Sequence, residues 1–175
     1  MLTSLTTFAL LASPAQAANL TVGDAALLFS LPALNERAAK DAVGSGRVAL
    51  SDLTGPLAGH PAEAVVIYFF SRNRGADGLE ALDRLQKRYD RDGLQVLAIN
   101  IDRTDFAELS GWAESLRLDF PILRDHHRVV ATRYQVQDLP TTFVIDADGV
   151  VFAVGRASGL EFETELELEL EPLLD

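Results

Sequence analysis

The chain has 175 residues, a length that suits one domain, and 48% of them are hydrophobic, enough for a sizeable core. Its formal net charge of -11 argues against nucleic acid or an anionic membrane surface as partner. It contains no cysteine, so its fold rests on packing alone and no thiol is available for chemistry. The charge is unevenly placed. After Arg156 there is no Lys or Arg, while Glu161, Glu163, Glu165, Glu167, Glu169, Glu171 and Asp175 follow. The body is only mildly acidic and the tail carries most of the excess.

At the N-terminus, residues 5–11 are mostly apolar, and Ala15-Gln16-Ala17 is a small-x-small cleavage site. The pattern predicts a secretory signal over residues 1–17 and a periplasmic or secreted mature domain over 18–175. One feature departs from it, because no Lys or Arg precedes the apolar run. The alternative is an apolar N-terminus on a cytosolic protein. No other run approaches the length of a membrane span.

Along the mature chain, residues 28–32 and 48–53 read as short strands. Residues 35–47, with Gly44 and Gly46, read as a long linker between them, and 54–63 as an irregular Gly/Pro loop. Residues 65–70, VVIYFF, form a continuous β-branched and aromatic run that fits a strand buried on both faces. A polar, Gly-rich loop over 71–78 follows. Leu79, Leu82, Leu85 and Tyr89 then recur at helical spacing, and the helix ends near Gly93. Residues 94–101 predict the next buried strand. Thr104 is positioned to cap a helix whose apolar face is Phe106, Leu109, Ala113 and Leu116, with Trp112 at its edge. Residues 120–123 predict a short strand in which Pro121 suggests an edge or strand-start position. Residues 128–134 predict a short helix with Val129, Val130 and Tyr134 on one side. Residues 141–146 and 150–154 predict two strands joined by the turn Asp146-Ala147-Asp148-Gly149. The tail, 158–175, alternates Leu and Glu as a strand would, but Leu and Glu are strong helix formers. Phe162, Leu166, Leu170 and Leu173 also fit helical spacing, and Ser158 with Glu161 makes a capping box, so a helix is predicted.

Three segments carry a family resemblance: Gly23 to Leu31 with Leu50-Ser51-Asp52-Leu53, the strand–loop–helix stretch 65–85, and the segment 136–146, VQDLPTTFVID. Together they resemble the thioredoxin-like redoxins, nearest to the TlpA/ResA type of periplasmic thiol-disulfide oxidoreductase, with peroxiredoxins of the AhpC/TSA kind as more distant relatives. The resemblance implies an α/β fold with a central mixed sheet flanked by helices and an N-terminal hairpin extension. It also implies a cis-proline at Pro140 facing loop 71–78. Such proteins carry a Cys-x-x-Cys pair at this strand-to-helix turn. Alignment puts Asn73 and Ala76 on the two cysteine positions, and the peroxiredoxin alignment puts the single cysteine near Asp77 or Gly78.

Thiol-disulfide exchange needs a thiolate, and peroxide reduction proceeds through a cysteine sulfenic acid. Asn73 and Ala76 supply neither. The expectation is an exported, non-catalytic binding or assembly partner that uses the groove between loop 71–78 and Pro140. The alternative is the oxidoreductase or peroxiredoxin role of the family, which the absence of Cys disfavours. Arg72 and Arg74 flank Asn73 at a predicted helix N-terminus and would suit a phosphate, a carboxylate or an acidic peptide. The plainer reading pairs them with Asp77 or Glu80. Leu139, Pro140 and Thr141 would present backbone to an extended peptide, a form of strand addition implied by the resemblance. An envelope protein is a further candidate partner. No cofactor and no metal are expected. His60 and the adjacent His126-His127, whose rings are expected to point apart, lack a third ligand nearby in sequence; Asp24, Asp52, Asp77, Asp102 and Asp125 could approach one another near the strand ends, the plainer reading being surface aspartates.

Overall fold

The computed structural model describes residues 20–155, 159 and 161–174. The predicted leader, 1–17, and the Ser158 cap lie outside the described residues. At the centre is the strand Ala64–Phe70, in which every residue is buried. Counting in chain order, with β1 Ser30–Pro32 and β2 Arg47–Ala49 before it, this is β3. It pairs in parallel with β4, Leu94–Asn100, and antiparallel with β6, Thr141–Asp146. β5, Ile122–Arg124, extends the sheet beside β4, and β7, Val151–Gly155, beside β6, giving the order β5-β4-β3-β6-β7. The predicted mixed sheet is therefore present.

The two-residue period of β3 divides the core. Val65, Ile67 and Phe69 pack on one side with Tyr134, Phe143 and Ile145. Val66, Tyr68 and Phe70 face the other, against helix α2, Leu79–Tyr89, and helix α5, Phe162–Leu174. Phe162, Leu166 and Leu170 are buried, so burial of one helical stripe, rather than Leu/Glu alternation, fixes the tail as a helix. Its acids are partly spent inside the chain. Glu163 accepts from Arg84 at 2.8 Å, and Glu167 accepts from Arg88 and, at 2.7 Å, from the Tyr89 hydroxyl.

Several local expectations are corrected. The linker at 35–47 contains helix α1, Glu36–Val43, with Ala38, Ala39 and Val43 buried and Gly44 closing it at φ 71°. β1 and β2 are antiparallel, as the expected N-terminal hairpin requires, and are joined through this helix. Residues 50–52 form a 3-10 turn, not strand. Helix α3, Phe106–Ser115, is capped by Asp105, whose carboxylate accepts from the Ala107 N–H at 2.8 Å. Thr104 is not the cap. Only Leu109 and Ala113 of that helix are buried, while Phe106 lies exposed beneath the Arg124 guanidinium. In helix α4, Val129–Arg133, Val130 and Ala131 point inward and Val129 is exposed.

The N-terminal segment also braces both margins of the sheet. Ala33 bridges to Leu123 of β5, and Gly23 and Asp24 exchange backbone bonds of 2.8 and 2.9 Å with Val151 of β7. Covering edges in this way removes open pairing groups.

Candidate functional site

The site is built at the carboxyl end of β3. Loop 71–78 is held in place by its own backbone and by one buried phenol. Ser71 and Arg74 exchange N–H to C=O bonds of 2.9 and 3.0 Å, closing a tight turn around Arg72 and Asn73. Beneath them, Tyr68 is buried and its hydroxyl donates to the Gly75 carbonyl at 2.8 Å. Burial, and secondarily the charge of Asp77, pushes the Tyr68 phenol well above its ordinary range. Gly75 has φ 90°, and a Cβ there would lie 2.9 Å from Cβ of Pro140 and 3.0 Å from the Tyr68 hydroxyl. A Cβ on Gly78 would lie 2.4 Å from the same hydroxyl. The glycines are therefore what allow the loop to close down on Tyr68 and Pro140.

The Leu139–Pro140 peptide bond is cis, as the resemblance implied. Pro140 itself is buried, while Leu139 is half-buried at the groove beside the loop. Among the described residues, neither the N–H nor the C=O of Leu139 makes a hydrogen bond. Thr141 is buried at the head of β6, its hydroxyl donating to the Asp138 carbonyl at 2.7 Å.

The groove has a volume of about 530 Å³ and brings together Asn73, Arg74 and Leu139 from the predicted set. Ala76 is not part of its lining and packs toward the core beneath the loop. Arg72 turns the other way. Its Nη1 donates to Glu108 at 2.9 Å, its Nη2 to the Thr104 hydroxyl at 3.1 Å, and its backbone N–H to Asp102 at 2.9 Å. It pairs with neither Asp77 nor Glu80; partners from the β4–α3 region hold it instead. Arg74 is exposed, and among the described residues its guanidinium has no acceptor.

Sequence reasoning missed Arg128. It sits in the left-handed region, φ 55°, at the head of α4, and lines the same groove. Its only described bond from the side chain is Nε to the Ile101 carbonyl at 3.3 Å. The available signal was its position just past the end of β5, where α/β sheets gather ligands.

The aspartates do not converge. Asp24 accepts from Thr21, whose backbone and hydroxyl hold its carboxyl below the usual range. Asp52 accepts from the Ala49 N–H, and Asp125 caps α4 through the N–H groups of Val129 and Ala131. Among the described residues no group of three His, Cys, Asp or Glu side chains is placed to hold a metal ion. His60 lines a separate pocket beside Asp90 and Gln95. The rings of His126 and His127, rather than pointing apart, meet edge to face at 4.6 Å. Desolvation, then the charges of Arg124, His127 and Arg103, hold the His126 imidazole below its ordinary value. Among the described residues no helix is long and apolar enough to cross a membrane.

The AhpC/TSA family model matches residues 22–154. The chain is similar to the thioredoxin-like protein YneN of Bacillus subtilis, 35% identical over 52% of this chain and 55% of that protein. It is also similar to the thiol-disulfide oxidoreductase ResA of Geobacillus kaustophilus, 32% identical over 53% of this chain and 51% of the relative. It thus spans about half the length of the curated relatives it matches. Among solved structures it resembles a Chlorobium tepidum protein assigned as the thiol:disulfide interchange protein DsbE. The TM-score is 0.71 at 25% identity, covering 89% of this chain and 99% of that one. It also shares its fold with the peroxidoxin BcpB of Mycobacterium tuberculosis, with TM-score 0.64 and 22% identity, over 88% of this chain and 96% of that one. The chain belongs to the AhpC/TSA family, among redoxins of the TlpA/ResA type, and has the thioredoxin-like fold.

Proposed function

We propose that this protein is an exported, non-catalytic redoxin that binds an extended peptide segment of a partner in the groove between loop 71–78 and Leu139–Pro140. One observation carries the binding half of this reading. The Leu139 backbone offers a free N–H and a free C=O, among the described residues, at the wall of a groove, next to a proline locked under Gly75. An extended segment pairs with such groups without any thiol. The non-catalytic half follows from composition. Thiol-disulfide exchange and thiol peroxidase chemistry both need a thiolate, and the chain has no Cys. The names of ResA and DsbE describe activities of those proteins; on this reading Asn73 and Ala76 stand in this chain where the family resemblance implies two cysteines, and neither has a redox couple. Export rests on the apolar run 5–11 and Ala15-Gln16-Ala17. N-terminal sequencing of protein recovered from the envelope fraction should begin at Ala18.

The binding half is tested by amide hydrogen exchange on the purified chain, with and without a degenerate pool of extended peptides. The reading predicts slowed exchange at Leu139 and in loop 71–78. Unchanged exchange there, with every peptide in excess, would refute it.

A further inference from the structure

We infer that the groove selects an acidic peptide, anchoring one Asp or Glu side chain between Arg74 and Arg128. This rests on the groove reading above and adds the chemistry of its ligand.

The charges point to it. The chain as a whole carries -11, yet two arginines from separate elements line this one groove. Among the described residues the Arg74 guanidinium has no acceptor, and the Arg128 guanidinium donates only to the Ile101 carbonyl. Among the described residues the one carboxylate that lines the groove, Asp102, is already engaged. It accepts from the Arg72 N–H at 2.9 Å and from Asn100 Nδ2 at 3.0 Å, with the Arg72 guanidinium close by. It therefore leaves both groove arginines uncompensated. A carboxylate brought in by a ligand would satisfy donors that now face solvent, in a charge-assisted bond of the stronger kind.

The rest of the lining fits a peptide better than a small free anion. Ile101 and Val136 contribute apolar surface, and Leu139 contributes the open backbone pair. In an extended segment, side chains at positions i and i+2 share a face. A peptide paired with Leu139 would place an acidic side chain toward the arginines and an apolar one, two positions away, toward Ile101 and Val136.

The test uses the full chain and three fluorescein-labelled extended peptides, each with Val two positions from a central Glu, Gln or Lys. Anisotropy titrations at low salt should show the Glu peptide bound about tenfold more tightly than the Gln peptide, and the Lys peptide weakest. Arg74→Gln and Arg128→Gln should each bring the Glu peptide toward the Gln peptide. Added salt should narrow the gap, as it screens exposed charge pairs. Free glutamate at the same concentration should not displace the Glu peptide. Equal binding of the Glu and Gln peptides, or preference for Lys, would overturn the acidic anchor and leave the groove reading standing. Displacement by free glutamate would assign the arginines to a small carboxylate instead of a peptide. Failure of all three peptides to bind would overturn this inference and the groove reading together.

Discussion

Gly75 lies directly against Pro140, so closely that a Cβ on the glycine would stand 2.9 Å from the proline Cβ. This contact joins the two halves of the candidate site, the loop after β3 and the entry to β6. It is maintained from below by Tyr68, whose hydroxyl holds the Gly75 carbonyl. The site is therefore a supported shape, and that shape makes no use of a thiol.

Gly75→Ala should be costly for two reasons, since φ of 90° strains an L-residue and the new methyl meets Pro140. We expect a loss of about 2 kcal/mol or more, read as a lower urea midpoint with an unchanged m-value. A neutral substitution would mean that the contact is slack.

Tyr68→Phe keeps the ring and removes the bond to Gly75, leaving that carbonyl the longer bond from the Gly78 N–H at 3.1 Å. The expected cost is about 1–2 kcal/mol. Its pH dependence has a definite sign. The folded-state phenol is raised above its unfolded value by burial and by Asp77. Its stabilising contribution is complete below the unfolded value of about 10 and is lost as pH rises past it. Denaturation midpoints across the alkaline range should therefore fall more steeply for the native chain than for the variant.

The acidic tail is held chiefly by its apolar stripe. Phe162→Ala or Leu166→Ala should cost about 3 kcal/mol, because both side chains are buried against the sheet and α2. Replacing Arg84 and Arg88 together by Gln should shift the thermal midpoint far less, since these ion pairs lie at the surface. The reverse ranking would contradict this description.

His126 should titrate below the ordinary histidine value of 6.5, because desolvation and then Arg124, His127 and Arg103 disfavour its cation. An NMR pH titration checks this directly, and Arg124→Gln should move the midpoint upward. The linkage follows: as pH falls through 6.5 the unfolded chain takes up this proton first, so the contribution of His126 lowers stability on acidification.

What the sequence disclosed depended on how far each signal reached along the chain. β3, α2 and β6 were legible because each is a continuous run whose period or β-branched content reports its own burial. α5 was legible from Phe162, Leu166 and Leu170, despite the competing alternation. α1 was not, because its buried stripe is mostly alanine and it is closed by Gly44 in a segment that reads as loop. Thr104 and Asp105 are adjacent and both suited to capping; only the backbone path shows that the Asp105 carboxylate reaches the Ala107 N–H. The charges of the site were the least legible. Arg72 is close in sequence to Asp77 and Glu80, yet it is held by Asp102 and Glu108 across the β4–α3 region. Arg128 reaches the groove only because β4 and β5 end beside the loop, a tertiary fact that no local pattern encodes.

The central claim is a thioredoxin-like scaffold that keeps its binding shape without redox chemistry. It is tested most directly by the rate of dithiothreitol-driven insulin reduction. The native chain is compared with two double variants, Asn73→Cys with Ala76→Cys, and the pair one residue on, Arg74→Cys with Asp77→Cys. The second pair matters because Arg74 is bonded to Ser71 and directly precedes the Gly75 that meets Pro140. The account predicts no turnover by the native chain, and a reversible disulfide with measurable turnover in one of the two variants. Turnover by the native chain would contradict the non-catalytic reading, and two inert variants would contradict an intact scaffold.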